Sequence, residues 1–290
     1  MKGIILAGGL GTRLHPSTIS VSKQLLPIYD KPLIYYPLAN LLSAGIAEVL
    51  IISTTDNISL FKKLFGNGSD LGIKLSYAAQ DQPNGIAEAF IIGEDFIAGD
   101  NVTLILGDNI FHGNQIIENL SNLTTKEFKG AKIFAYKVPD PQRYGVVEFD
   151  PNYAVVSIEE KPLVPKSNYA VTGLYVYDSS VCSLSKSLSP SARGELEITD
   201  LNNLYLNQND LDVFLLDSGT AWLDAGTPDS LLEAAHFVQT IQNRQLIQIG
   251  CLEEISLRQN FISKEAFSKL AFKAPKNKYG DYLRGLLENF

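Results

Sequence analysis

The spacing of apolar and polar residues changes period repeatedly along this chain, and each change predicts an element. Residues 2–7 form a short apolar run that reads as a buried strand. Residues 33–44 carry apolar side chains at helical spacing and stop at Gly45, with Pro37 in the first turn or at a kink. Residues 48–53 read as a buried strand, 58–65 as a helix closed by Gly66, and 73–79 as an alternating strand. A helix over 86–97 and a buried strand over 102–106 follow. This β-α-β-α order predicts a largely parallel sheet with helices on both faces.

The second half changes character. Strands are predicted over 132–138, 145–149, 154–160, 170–177 and 212–216, separated by turn residues. Thr227 and Pro228 then open a helix as N-cap and first residue, with Leu231, Ala234, Ala235, Val238 and Ile241 on its apolar face. The expected organisation is one α/β domain over residues 1–240 and a helical extension of that domain over 241–290.

Composition narrows the function classes. Of 290 residues, 45% are hydrophobic and 19% charged, an ordinary globular mixture. No apolar run reaches the ~20 residues that span a bilayer, and the opening run is too short for a signal peptide. The two cysteines, Cys182 and Cys251, are far apart and make no metal-type spacing, which fits a reduced cytoplasmic protein. A net charge of −8 argues against nucleic acid and leaves phosphorylated small molecules open. One lysine about 4 Å from a phosphate oxygen is worth about 4 kcal/mol at an effective dielectric near 20, so local cations outweigh diffuse acidity.

Such cations occur at the end of the first strand, in Gly8-Gly9-Leu10-Gly11-Thr12-Arg13-Leu14-His15-Pro16. Glycines there let backbone amides face phosphate oxygens at the ligand edge of the sheet. The loop lacks the Gly-Lys-Ser/Thr ending of a P-loop, and Leu14 stands where a dinucleotide fingerprint needs its third glycine. Arg13 inside the loop and Lys23 beyond it suit a polyphosphate. The alternative is a tight turn with surface charges.

This loop followed by Lys23 resembles the signature of the sugar-1-phosphate nucleotidyltransferases. The extension Ser22-Lys23-Gln24-Leu25-Leu26-Pro27 through Leu38 is similar to the glucose-1-phosphate thymidylyltransferase branch. Gly194-Glu195-Leu196-Glu197-Ile198-Thr199-Asp200 and Ala221-Trp222-Leu223-Asp224 are further matches. The resemblance implies a single Rossmann-like, mainly parallel mixed sheet of the nucleotide-diphospho-sugar transferase type. The first half would bind nucleotide and the second half sugar. It also implies dTTP and glucose 1-phosphate as substrates, dTDP-glucose and pyrophosphate as products, Mg²⁺ as cofactor, and a homotetramer.

Asp108 follows the buried strand 102–106, where a carboxylate can hold Mg²⁺ or simply cap a turn. By resemblance Asp224 is the second metal ligand. The same resemblance assigns Gly8, Gly9, Gly11, Thr12, Arg13, Gln24, Gln80, Pro83, Gly85 and Asp108 to the nucleotide. It assigns Asn109, Tyr144, Gly145, Glu160, Lys161 and Val171 to the sugar phosphate. Trp222 is expected beside the sugar or in the core. Without the resemblance, the Gln80–Gly85 segment reads as a plain turn and Glu159-Glu160-Lys161 as a solvated strand end.

The attacking sugar phosphate is already anionic, so His15, His112 and His236 need no catalytic role. Arg13 and Lys23 are the expected catalytic cations, with in-line attack at the α-phosphorus. Glu254 and Arg258 match a regulatory nucleotide site of the family. Leu252, Leu257, Phe261, His112, Asn114 and Ser218 depart from it, which predicts a weakened or altered site. Rival readings are a uridylyltransferase, a non-catalytic sugar-nucleotide sensor, and a glycosyltransferase, whose usual Asp-x-Asp is absent at Asp108-Asn109-Ile110.

Overall fold

The computed structural model describes residues 1–9 and 11–288; Leu10 of the glycine loop lies outside them. The first half runs β1 (Lys2–Leu6), a short hairpin of β2 (Pro27–Ile28) and β3 (Lys31–Pro32), then α1 (Tyr35–Ser43). It continues with β4 (Glu48–Ser53), α2 (Thr55–Phe65), β5 (Lys74–Ala79), α3 (Glu88–Ile92), α4 (Glu94–Ile97) and β6 (Val102–Leu106). After β7 (Asn109–His112) and α5 (Asn114–Thr125) come β8 (Ala131–Lys137), β9 (Gly145–Phe149), β10 (Val155–Glu160) and β11 (Tyr169–Tyr177). The remainder is α6 (Val181–Ser187), α7 (Ile198–Asn207), β12 (Leu211–Leu215), β13 (Ala221–Asp224) and α8 (Pro228–Gln245), followed by α9 (Leu252–Arg258), α10 (Lys264–Lys273) and α11 (Lys278–Leu286).

The main sheet follows the order β10-β9-β11-β6-β1-β4-β5, with β8 joining β11 to β12. The pairs β1–β4, β1–β6, β4–β5 and β8–β12 are parallel, whereas β11 runs antiparallel to β6, β8 and β9. The alternation of β1 explains the layering. Ile5 joins Leu41 and Ile51 on the α1 and α5 face, while Ile4 joins Leu50 and Phe90 on the α3, α6 and α7 face. Each such fully buried side chain contributes about 1.5–3 kcal/mol.

The predicted strands 132–138, 154–160, 170–177 and 212–216 are shifted by a residue or so at their ends. The predicted helix over 86–97 is two helices. Gly93 divides them, lying so close to the sheet that a Cβ would sit 3.0 Å from Ile4 Cδ1. Pro37 falls in the first turn of α1. Thr227 caps α8 through a reciprocal pair with Ser230, and α8 continues unbroken across the 240/241 boundary. The extension carries its own small core, with Leu257, Phe267, Ala271 and Leu283. Among the described residues no helix is long and apolar enough to cross a membrane.

Two features position the site. Parallel β1 and β6 end side by side, with Leu6 opposite Leu106, so the glycine loop and Asp108 leave the same sheet edge. A ribbon to which the sequence pattern assigns no element, β7 with β13, sets Asn109 opposite Asp224.

Candidate active site

Two adjoining cavities open at that edge. One, of about 200 Å³, is lined by Gly8, Gly9, Lys23, Gln24, Gln80, Pro83 and Gly85. The other, of about 330 Å³, is lined by Arg13, Asn109, Tyr144, Gly145, Glu160, Lys161, Val171, Trp222 and Asp224. Asp108, Ile86, Leu106 and Glu195 line both. Apart from three residues of the glycine loop, the two expected groups therefore fall in separate cavities that meet at Asp108. Gly11 and Thr12 precede Arg13 on the loop but line neither cavity. Arg13, grouped with the nucleotide residues above, instead reaches the larger cavity; a Cβ on Gly226 would lie 3.2 Å from its guanidinium.

The smaller cavity is held by amide groups. Gln24 accepts from Ser22 Oγ and donates to the Gly8 carbonyl at 3.4 Å. Gln80 donates to the Gly85 carbonyl at 3.1 Å and to Glu88 at 2.7 Å, and its Oε1 faces Gly8, where a Cβ would come within 2.9 Å. Gly85 has a positive φ of 109°, and a Cβ there would sit 2.3 Å from the Leu196 carbonyl oxygen. A glycine is thus required by the Leu196 backbone as well as by any base. Leu196 in turn donates to the Asn84 carbonyl at 2.6 Å.

At the junction, Lys23 forms an ion pair and hydrogen bond with Asp108 Oδ2, while Asn109 Nδ2 donates to Oδ1 at 2.9 Å. Burial pushes the Asp108 carboxyl upward, but Lys23 and Asn109 outweigh it and hold it below its ordinary value. The Ala225 amide donates to the Asp108 carbonyl at 3.0 Å, bringing Asp224 alongside. Burial raises the Asp224 pKa and the Asp108 charge adds to the rise, against Arg143, Tyr144 and Arg13. Among the described residues no cluster of three metal-ligating side chains exists. Asp108 and Asp224 supply two hard oxygen donors and leave the other positions to ligand phosphates and water, the donor set Mg²⁺ takes beside substrate phosphates.

In the larger cavity Glu160 accepts from Thr199 Oγ1 at 2.7 Å and pairs with Lys161 at 3.1 Å. Lys161 turns at a positive φ of 45°, its amide donating to the Tyr144 carbonyl at 2.9 Å. Asn109 lines this cavity, yet its side chain is already engaged. Its Oδ1 accepts from Trp222 Nε1 at 2.6 Å and from the Gly173 amide at 3.2 Å. Trp222, whose ring tilts against Tyr144 at 5.2 Å, is therefore a cavity wall hydrogen-bonded to the residue that holds Asp108.

Sequence reasoning missed two arginines here. Arg143 bridges Asp140 at 2.8 Å and Asp224 at 3.2 Å. Arg193 grips buried Glu197 through two nitrogens, at 3.0 and 2.7 Å. Their signals were the adjacent Tyr144 and the Gly194–Asp200 match, to which no role was attached. Glu254 and Arg258 lie on α9, in neither cavity. Glu254 accepts from Arg258 Nε at 2.8 Å and from Tyr282 at 2.6 Å.

The family model described as nucleotidyl transferase matches residues 2–241. A glucose-1-phosphate thymidylyltransferase of Neisseria meningitidis is 56% identical, covering 99% of this chain and 100% of the relative. One from Mycolicibacterium smegmatis is 54% identical, covering 99% of each chain. Among solved structures, a Bacillus anthracis protein described as a glucose-1-phosphate thymidylyltransferase, in complex with sucrose, superposes with a TM-score of 0.76 at 43% identity. The match covers 82% of this chain and 94% of that one. A UDP-glucose pyrophosphorylase solved with UDP-glucose shares the fold, with a TM-score of 0.72 at 23% identity, covering 82% of this chain and 98% of that one.

Proposed function

The chain belongs to the nucleotidyl transferase family, and from that membership we propose its reaction: transfer of a deoxythymidylyl group from dTTP to α-D-glucose 1-phosphate, giving dTDP-glucose and pyrophosphate. The observation that carries this reading is the pair of cavities meeting at Asp108, one bordered by the glycine loop and Lys23, the other by Glu160 and Lys161.

The chemical difficulty is holding two anions together, since the sugar phosphate needs no base. Gln80 and Gly85 read the thymine edge beside Pro83, while Gly8, Gly9, Gly11, Thr12 and Gln24 border the nucleotide. Lys23 bears on the α- and leaving phosphates. Arg13 works from the Asp224 side and neutralises charge as pyrophosphate departs. Glu160 accepts from glucose hydroxyls, Lys161 orients the attacking phosphate, and Tyr144, Gly145 and Val171 shape the sugar's seat. Asn109 acts by holding Asp108. Asp108 and Asp224 would hold a divalent cation, Mg²⁺ in this proposal, which when bound neutralises the reacting phosphates.

Two expectations are carried as parts of the same proposal. The assembly is a homotetramer, and dTDP-rhamnose inhibits poorly at a regulatory site that includes Glu254 and Arg258. Pyrophosphate release across a matrix of dTTP and UTP with several sugar phosphates, with and without Mg²⁺, tests the reaction. Turnover fastest with dTTP and glucose 1-phosphate, and dependent on Mg²⁺, is expected. Preference for UTP would reassign the enzyme to the uridylyl branch.

A further inference from the structure

Among the described residues the most buried charged side chain is Lys31, 3% exposed, and it lines neither cavity. A buried ammonium is tolerated only when all three of its hydrogens find acceptors. Lys31 Nζ donates to Asp30 Oδ1 at 2.9 Å, to Gln248 Oε1 at 2.9 Å and to Gln242 Oε1 at 3.2 Å. Gln242 closes the network by donating to Asp30 Oδ2 at 3.0 Å and accepting from the Ile249 amide at 3.0 Å. The Tyr279 ring of α11 stands 5.3 Å from the ammonium. The acceptors come from the β2–β3 hairpin, from α8 and from the segment after α8. Directed bonds from three segments admit one geometry, where an apolar contact of equal area would tolerate sliding.

The hairpin leads from this anchor to the junction of the cavities. Lys31 pairs with Ile28 and Pro32 with Pro27. The ladder continues from the Leu33 amide to the Leu26 carbonyl and from the Ile34 amide to the Gln24 carbonyl, both at 2.9 Å. Gln24 shares a single 3-10 turn with Lys23, and Lys23 pairs with Asp108.

We propose that Lys31 is a positioning residue through which the C-terminal extension grips the hairpin and fixes Lys23 against Asp108. The proposal rests on the role of Lys23 given above. A buried lysine with only a structural task would lower folding stability without acting through Lys23.

The test is a double-mutant cycle in the full-length enzyme, read as initial rates of pyrophosphate release with thermal melts as a folding control. Lys31→Met should lower kcat about tenfold and leave the KM for glucose 1-phosphate within about twofold, as expected for a displaced catalytic group. In a Lys23→Ala background the same change should alter kcat by less than about twofold, because the group being positioned is gone. Equal losses in the two backgrounds would overturn the role of Lys31 alone. Normal turnover by Lys23→Ala itself would overturn the role of Lys23, and that of Lys31 with it. Should Lys31→Met fail to fold, Gln248→Met, which removes one acceptor, carries the same cycle.

Discussion

The two cavities are built by opposite means. The smaller is made of glycines and buried amides from the loops that follow β1 and β5, and Lys23 is its one basic lining residue among those described. The larger is ringed by Arg13, Arg143, Lys161 and Arg193 set against Asp224, Glu160, Glu195 and Glu197, drawn from segments scattered along the chain. A base edge is read by fixed backbone and amide groups, which need close approach and little charge. A phosphorylated sugar calls for cations to meet its phosphate and carboxylates to meet its hydroxyls. The difference implies that substitutions in the two cavities fail in different ways.

The largest effect is expected at their junction. Lys23→Ala should lower kcat by about a hundredfold or more, with a much smaller change in either KM, as for other preorganised charges. Steady-state rates with each substrate varied in turn will show this, and a kcat near normal would remove Lys23 from the chemistry.

On the nucleotide side, Gly85→Ala forces a Cβ to within 2.3 Å of the Leu196 carbonyl oxygen, at a φ that favours glycine. It should raise the KM for dTTP about tenfold and lower stability by about 1–3 kcal/mol. A denaturant melt and nucleotide titrations separate the two effects. An unaffected KM would show that the turn is structural only.

How much of this was legible in the sequence follows from the same contrast. The loop from Gly8 to Lys23 is contiguous, so its residue types and order were sufficient to point to a polyphosphate. The pairing of β7 with β13 was invisible. Each strand is four residues long, and nothing local brings Asp224 to Asp108. Trp222 was left between cavity and core because its Nε1 partner, Asn109, is 113 residues away. Arg143 and Arg193 carry no local signal that sets them apart from the solvated arginines usual in loops. Lys31 was read only as part of a family motif, since two of its three acceptors, Gln242 and Gln248, are 211 and 217 residues away.

On the sugar side, Trp222→Phe keeps the ring and removes the donor to Asn109 Oδ1. The KM for glucose 1-phosphate should rise about threefold to tenfold, the cost of one lost buried hydrogen bond, with the KM for dTTP unchanged. Substrate titrations check this; a rise confined to dTTP would place Trp222 on the wrong side of the division.

The smallest effect concerns stability. The Asp108 carboxyl sits below its ordinary value of 3.8, so its contribution is fully present above that pH and is lost as pH falls through the lowered value. Thermal melts at pH 6 and pH 3 should show a larger acid loss for the native protein than for Asp108→Asn. Equal acid losses would mean that the pair with Lys23 does not favour the carboxylate.

The most direct test of the central division is a pair of KM measurements on Gln80→Ala and Glu160→Ala, each with both substrates varied. Gln80→Ala should raise the KM for dTTP about tenfold and leave that for glucose 1-phosphate within about twofold, and Glu160→Ala should do the reverse. If either substitution raised both constants equally, or raised the opposite one, the assignment of one substrate to each cavity would be contradicted.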